Sequence, residues 1–430
     1  MTGLRWLWHE LTRPRGPVSH RFHRAHRRSE SGVALLLVLT SVLFLTVIAT
    51  DIAFSATTRL RLAAHQRDEA KAEYLAQTGV GMYQLILSAS KAIGKNPMFK
   101  QVEEMLGIDL GDALWQMIPS INSEMMRMIF VTDGDVEDVA TEGMTDEQIA
   151  ASREETGMER NFLDFDGDFT AEVTDEDRKI NVAKFTATNR ADLQQDPTAV
   201  KLYALMSGNR VCPDQYAMYG AAQFNTEERE DLDKWFYDRN LERWELIGNL
   251  ADWTDPDTSR VYDGGAEESV YQNLDRDPYL PKNAAFDTLE EMRLVDLWNR
   301  DDVWEKYGSN LTVYGSGKVN VNTAECPIMW ALLKSYLTPQ PNDAQASQLL
   351  QQIQQQKALI GSFPDPNSFV TFLTSLGVTV DPKMKQAIHT DSKVFRVTSS
   401  GQVGDSIVTV DAVIDYRKSA TGRVVYWRVR

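Results

Sequence analysis

The chain has 430 residues, 43% of them hydrophobic and 25% charged, and its net charge is −17. That length and balance exclude a disordered chain and leave room for two globular parts. The acidity argues against nucleic acid and anionic lipid as main partners, because phosphate is repelled by a body of the same sign.

The charge is unevenly spread. Residues before Gly32 carry seven arginines against only Glu10 and Glu30, which leaves about −22 on the rest. From Val33 to Thr50 the sequence VALLLVLTSVLFLTVIAT has no charge. As a helix that run spans about 27 Å, close to the ~30 Å hydrocarbon core of a bilayer. The basic leader then stays cytoplasmic and the acidic body lies outside.

Three signals compete for this N-terminus. A secretory signal peptide has a shorter apolar core, of about 7–15 residues, although Ala53-Phe54-Ser55 has the form of its cleavage site. Arg27-Arg28 is a weak twin-arginine match in an arginine-rich leader. A prepilin-type signal, a basic leader ending in glycine with the apolar run directly after it, fits best. Here Gly32 is followed at once by Val33.

Helix formers continue from Ser55 to Lys95, and the first proline after the apolar run is Pro97. Leu75, Gly79, Val80, Tyr83, Ile86 and Leu87 recur at helical spacing and predict an apolar stripe, with Gly94, Asn96 and Pro97 as the stop. One helix half in the membrane and half packed on a domain follows. A short helix is expected through Leu114–Ile118, then an acidic loop from Asp133 to Glu159.

Phe169, Ala171 and Val173 alternate with Thr170, Glu172 and Thr174 as in a half-buried strand. Asp177-Arg178-Lys179 predicts a turn, with Ile180-Asn181-Val182 returning as strand. From about Asn189 to His389 the pattern is mostly helical. Val408, Val410, Ala412, Ile414 and Tyr416 then share one strand face, and a turn at Ala420-Thr421-Gly422 leads into a last strand from Val424. The expected fold class is α+β: a long N-terminal transmembrane helix on a small antiparallel sheet, pilin-like, with a large inserted α-helical domain. Its parts are a basic leader (1–32), the long helix (33–95, of which 33–54 in the membrane), a first αβ part (96–188), the helical insertion (189–389) and completing strands (390–430). Cys212 and Cys326 are compatible with one disulfide outside the cytoplasm or with two buried thiols.

Several stretches in order along the chain carry a resemblance. They are Gly32-Val33-Ala34-Leu35-Leu36-Leu37, Asp175-Glu176-Asp177-Arg178-Lys179-Ile180-Asn181-Val182, Leu250-Ala251-Asp252-Trp253-Thr254-Asp255-Pro256-Asp257, Gly265-Ala266-Glu267-Glu268-Ser269-Val270-Tyr271 and Lys318-Val319-Asn320-Val321-Asn322-Thr323-Ala324. In these the chain resembles the type II secretion minor pseudopilin K family. The resemblance implies cleavage by a prepilin peptidase between Gly32 and Val33, anchoring in inner-membrane lipid by a single pass, and a periplasmic body. It implies a complex with I-type and J-type minor pseudopilins, the major pseudopilin and the inner-membrane assembly platform, for protein export across the outer membrane.

The fifth mature position is Leu37, where most pilin-like subunits carry a glutamate that pairs with the N-terminal amine of the subunit above. An unpaired charge at the bilayer centre costs at least ~2.5–3.5 kcal/mol. Leucine there suits a subunit with no neighbour above it, at the tip. A bulky insertion points the same way.

The densest carboxylates are Asp252, Asp255, Asp257, Asp263, Glu267 and Glu268, separated by the turn residues Pro256, Gly264 and Gly265. Hard oxygen donors on a flexible loop suit calcium, and the resemblance implies calcium in the helical domain. Asp255, Asp257, Glu267 and Glu268 are the expected ligands; the bland alternative is a solvated loop, with Asp252 orienting the core near Trp253. Asp164–Asp168 resembles the start of an EF-hand, but Phe169 stands where glycine is needed, so a hairpin turn is expected.

No catalytic motif is found, and the only histidines outside the leader are His65 and His389. The rivals are a DNA binder that uses Val319–Ala324 in a helix-hairpin-helix-like module, another type IV pilus-like minor pilin, and a membrane-anchored hydrolase. The DNA module needs a glycine-rich hairpin, whereas Lys334–Pro339 has no glycine, and the surrounding charge is wrong.

Overall fold

The computed structural model describes residues 30–93, 115–130, 166–183, 185–212, 228–272 and 278–430. The leader up to residue 29 and the acidic stretch 133–159 lie outside them. The chain divides into two units, Met1–Arg67 and Asp68–Arg430. Helix α1 (Glu30–Ile93) belongs to both; the expected stop at Gly94, Asn96 and Pro97 lies outside the described residues.

In the N-terminal unit the apolar run is bare. Leu35, Leu36, Leu37, Leu39, Leu43 and Phe44 are 62–69% exposed. The helix is long and apolar enough to cross a membrane, and each such side chain left in water forgoes about 1.5–3 kcal/mol. The hydroxyls within the run are satisfied by the helix itself: Ser41 Oγ donates to the Leu37 carbonyl (2.8 Å) and Thr46 Oγ1 to that of Val42 (2.7 Å). Such back-bonding is what allows polar side chains in a membrane span.

In the second unit, α1 from Asp68 onward lies on a five-stranded antiparallel sheet. Its strands are β1 (Ser120–Asn122), β2 (Asp168–Asp175), β3 (Val394–Val403), β4 (Ser406–Asp415) and β5 (Arg423–Val429), adjacent in that order. Helix α2 (Ser123–Phe130) follows β1 directly. The alternation read from the sequence is the one that packs. Phe169, Ala171 and Val173 meet Val397 on β3 and Val408, Val410, Ala412 and Ile414 on β4, against Leu75, Val80, Tyr83 and Leu87 of α1. Ile86 is half-buried at the edge of this core.

Helix and sheet approach closely because each contributes a glycine to the interface. A Cβ on Gly401 would stand 2.0 Å from the Ala72 carbonyl oxygen, and one on Gly79 would stand 2.3 Å from Ser399 Oγ. A backbone contact cannot swing aside as a side chain can. Gly401→Val is therefore expected to destabilise by at least about 1–3 kcal/mol, read as a lower urea midpoint at unchanged slope. A loss inside the ordinary ±0.5 kcal/mol of surface changes would mean that α1 sits farther from β3.

Between β2 and β3 a helical block is inserted, with its own core around Trp298, Trp330, Tyr307, Phe185, Phe236 and Phe369. Its longer helices are α3 (Pro197–Leu205), α4 (Leu232–Asp238), α5 (Arg243–Thr254), α6 (Glu268–Gln272), α7 (Asp301–Tyr307), α8 (Cys326–Tyr336), α9 (Asp343–Ile360) and α10 (Pro366–Ser375). Two sequence expectations shift here. Ile180–Asn181 does not return alongside β2 but pairs in parallel with Leu311–Thr312 of the block. In addition, Ile180, Val182, Phe185 and Ala187 are buried in the core of the block, so it begins before Asn189. The turn at Glu176–Arg178 is a 3₁₀ turn that sends the chain off the sheet instead of back along it.

The junction is a buried polar cluster. Asp175 Oδ2 accepts from Asn320 Nδ2 (3.1 Å), Thr323 Oγ1 (2.6 Å) and Ser392 Oγ (2.6 Å). Asp177 Oδ2 accepts from the amides of Lys393 and Val394, at 2.9 and 3.0 Å. Glu176, fully buried, meets Arg396 at 2.5 Å and Lys179 at 3.2 Å. The outgoing chain, the Asn320–Thr323 turn of the block and the returning chain are thereby tied at one point.

Of the two states left open for the cysteines, the structure has the disulfide. Cys212 and Cys326 are bonded across a sequence separation of 114, linking the end of a short strand to the start of α8. Closing so long a loop removes unfolded-state entropy, so Cys212→Ser with Cys326→Ser should cost about 2–5 kcal/mol in thermal unfolding.

Candidate metal centre

Helix α5 ends at Thr254, and Asp255 is its C-cap residue, in extended backbone. Asp252 lies one turn back along the same helix, so its carboxylate and that of Asp255 reach the same end. The chain then loops out through Pro256–Ala266. Positive φ angles at Gly264 (71°) and Gly265 (92°) turn it back, and the Arg260 amide bonds to the Gly265 carbonyl at 3.0 Å. The Glu267 amide bonds to the Thr258 carbonyl at 3.1 Å, which delivers its side chain to the two aspartates.

The outcome is a trio. Asp252, Asp255 and Glu267 each offer a ligand oxygen, and these lie within 4.8 Å of one another. All three residues are 1–3% exposed. Asp252 Oδ1 accepts from the Val261 amide at 2.7 Å. Among the described residues, neither oxygen of Asp255 nor of Glu267 has a hydrogen-bond partner. Four orphaned carboxylate oxygens at one buried point are costly, because each loses hydration without replacement. The nearest cation is Arg260, whose Nε is 3.9 Å from Asp252 Oδ2. A helix C-terminus adds its own partial negative charge.

The electrostatics follow from this crowding. Burial, with Asp257 and Asp252 as charged neighbours, pushes the Asp255 carboxyl up to about 7. Burial and then Asp255, Asp252, Asp257 and Glu268 push Glu267 up to about 8. Burial raises Asp252 to about 6 despite its bond to the Val261 amide and the nearby Arg260. The donor set is all oxygen, anionic and short of partners, which is what a hard divalent cation needs.

Of the four expected ligands, the structure brings Asp255 and Glu267 together. Asp257 and Glu268 lie outside the trio. The carboxylate of Asp257 accepts from the Ser259 amide at 2.8 Å, and exposed Glu268 accepts from Gln272 Nε2 at 3.2 Å. Asp252 takes the third place instead of orienting the core near Trp253, whose Nε1 donates to Glu291 at 3.0 Å. The i, i+3 spacing of Asp252 and Asp255 at a helix end was the available signal.

The other sequence candidates fall elsewhere. Gly32, Val33 and Leu37 are on α1, and a Cβ on Gly32 would meet nothing within 4 Å. In the Val319–Ala324 segment, Asn322 bonds backbone, at the Phe363 and Thr390 carbonyls, 2.9 Å each. Lys334 is held by Asp343 at 2.6 Å, so its charge is already matched.

A long apolar N-terminal helix, an antiparallel sheet packed on its second half and a helical block spliced between two strands define a pilin-like α+β protein. Residues 237–315, which contain the carboxylate trio, match the family model "Type II secretion system (T2SS), protein K", first domain. That match covers one part of the helical block, from α4 to the strand segment after α7. A chain of the GspK-GspI-GspJ complex from the enterotoxigenic Escherichia coli type 2 secretion system is also similar, at 18% identity and a TM-score of 0.42 over 66% of this chain and 95% of that one. No curated protein matches.

Proposed function

We propose that this chain caps a type II secretion pseudopilus, in complex with I-type and J-type minor pseudopilins, and primes assembly of the filament for protein export across the outer membrane. The observation that carries this reading is the protein K domain at residues 237–315 lying inside a block that interrupts a pilin-like sheet. A block of that size above the sheet obstructs a further subunit, and Leu37 removes the carboxylate by which a subunit neutralises the amine of one above it.

The leader is removed by a prepilin peptidase after Gly32. The mature chain is anchored in the inner membrane by α1 with its body in the periplasm, where the disulfide is stable. The major pseudopilin and the inner-membrane assembly platform are its further partners. The chain acts by assembly, without catalysis. Calcium bound by Asp252, Asp255 and Glu267 holds the loop after α5 against the helix end; it neutralises the carboxylates and takes no part in a reaction.

Two measurements test this. N-terminal sequencing of the membrane-bound form should begin at Val33; a start near Ala56 overturns the prepilin assignment. The full chain should co-purify with I-type and J-type partners and show no matching retention of DNA. The reverse result favours the DNA-binding alternative.

A further inference from the structure

On the helical block, apart from the carboxylate trio, the start of α3, the loop before Val319 and the turn at Asp381 enclose a cavity of 520 Å³. Its size is that of a ligand site. In a chain of net charge −17 its lining is cationic: Lys201, Lys318 and Lys383 against a single acid, Asp381.

Lys201 is the unusual member. It sits in the middle of α3 and is only 2% exposed. Its ammonium makes one hydrogen bond, to the Gly317 carbonyl at 3.3 Å, although it has three protons to donate. Asp196 acts on the ammonium by its charge but makes no ion pair with it. Asp196 Oδ1 caps α3 by accepting from the Thr198 and Ala199 amides, and Asp381 Oδ1 accepts from the Lys383 amide at 2.8 Å. Lys318 and Lys383 are exposed at the rim and form no ion pair among the described residues. A buried ammonium with one hydrogen bond and no ion pair is costly, and an anion entering the cavity would add the missing partner.

The geometry points to a docking site for an acidic peptide segment of a protein partner, with one carboxylate reaching Lys201 and its neighbours meeting Lys318 and Lys383. Two features favour carboxylates over a nucleic-acid backbone. Pro197, Val200 and Ala387 supply apolar wall for aliphatic stems, and the strongly acidic body disfavours approach of a polyphosphate. The site is independent of the carboxylate trio and of any bound cation.

The test uses the full chain in detergent micelles, with a fluorescein-labelled, N-acetylated and C-amidated pentaglutamate as the probe, read by anisotropy at low salt. Saturable binding is expected. Lys201→Met should weaken it about tenfold or more, the worth of a charge-assisted hydrogen bond. Lys383→Glu, on the exposed rim where folding is not at stake, should weaken it by a similar factor. Lys418→Glu, the same charge change on the exposed turn between β4 and β5, should have little effect. Three results overturn the proposal: no saturable binding, equal losses in the Lys383 and Lys418 variants, or tighter binding of a single-stranded oligonucleotide that is lost in the same variants.

Discussion

Chelating divalent cations from the purified chain at pH 8 is expected to lower its thermal midpoint, and calcium at about a hundredfold above its dissociation constant to raise it by about 3–4 °C. The size follows from mass action, which gives about 2.7 kcal/mol at that excess, spread over a body of this length. The sign of the pH dependence follows from the trio. Asp252, Asp255 and Glu267 are raised to about 6, 7 and 8, above the ordinary carboxylate values they regain on unfolding. The folded chain thus binds more protons than the unfolded one between about pH 4 and 8, so in chelator its stability falls as pH rises through that window. Calcium competes with those protons, and the calcium-induced shift should grow from pH 5.5 to pH 8.

Asp255→Asn with Glu267→Gln separates this from an ordinary structural role. The double variant should lose the calcium response yet match or exceed the wild type in chelator, because it no longer buries unpaired charge. If it is instead less stable in chelator, the carboxylates have internal partners and the cation assignment fails.

The frame of this protein was largely legible because its strongest signals are local. The charge-free run from Val33 states a length, while the stripe through Leu75, Val80, Tyr83 and Leu87 and the alternations at Phe169–Val173 and Val408–Ile414 each state a period that packing enforces. Ile180–Asn181 was misplaced because a two-residue strand has no period to read. Its partner, Leu311–Thr312, lies far along the chain, and only the tertiary fold selects it. The carboxylate trio was half legible. Acid density marked the loop, but which acids turn inward depends on where α5 ends and on the glycine turn at Gly264–Gly265. The run from Asp175 to Val182 has no role that the sequence alone explains. The structure supplies one, since those residues fasten the insertion to the sheet.

That fastening gives the second large effect. Arg396→Met should destabilise the chain by about 3 kcal/mol at neutral pH, at the lower end of what breaking a buried ion pair costs, because Lys179 remains beside the stranded Glu176. Burial alone would raise the Glu176 carboxyl, but Lys179 and Arg396 outweigh it and hold the group below its usual value. A carboxyl lowered in the fold contributes stability that is full above its unfolded value, near 4.5, and is lost as pH falls through the folded value. The gap between wild type and variant should therefore be widest near pH 7 and narrow in acid. Adding Glu176→Gln should recover part of the loss, giving a coupling within the roughly 0.5–3 kcal/mol seen for residues in contact. The arginine also lies over the rings of Tyr314 and Tyr426, at 5.9 and 5.5 Å. If the gap is flat with pH and the double variant shows no coupling, that ring packing is what Arg396 supplies. The junction between sheet and insertion is then held mainly by the Asp175 and Asp177 hydrogen bonds.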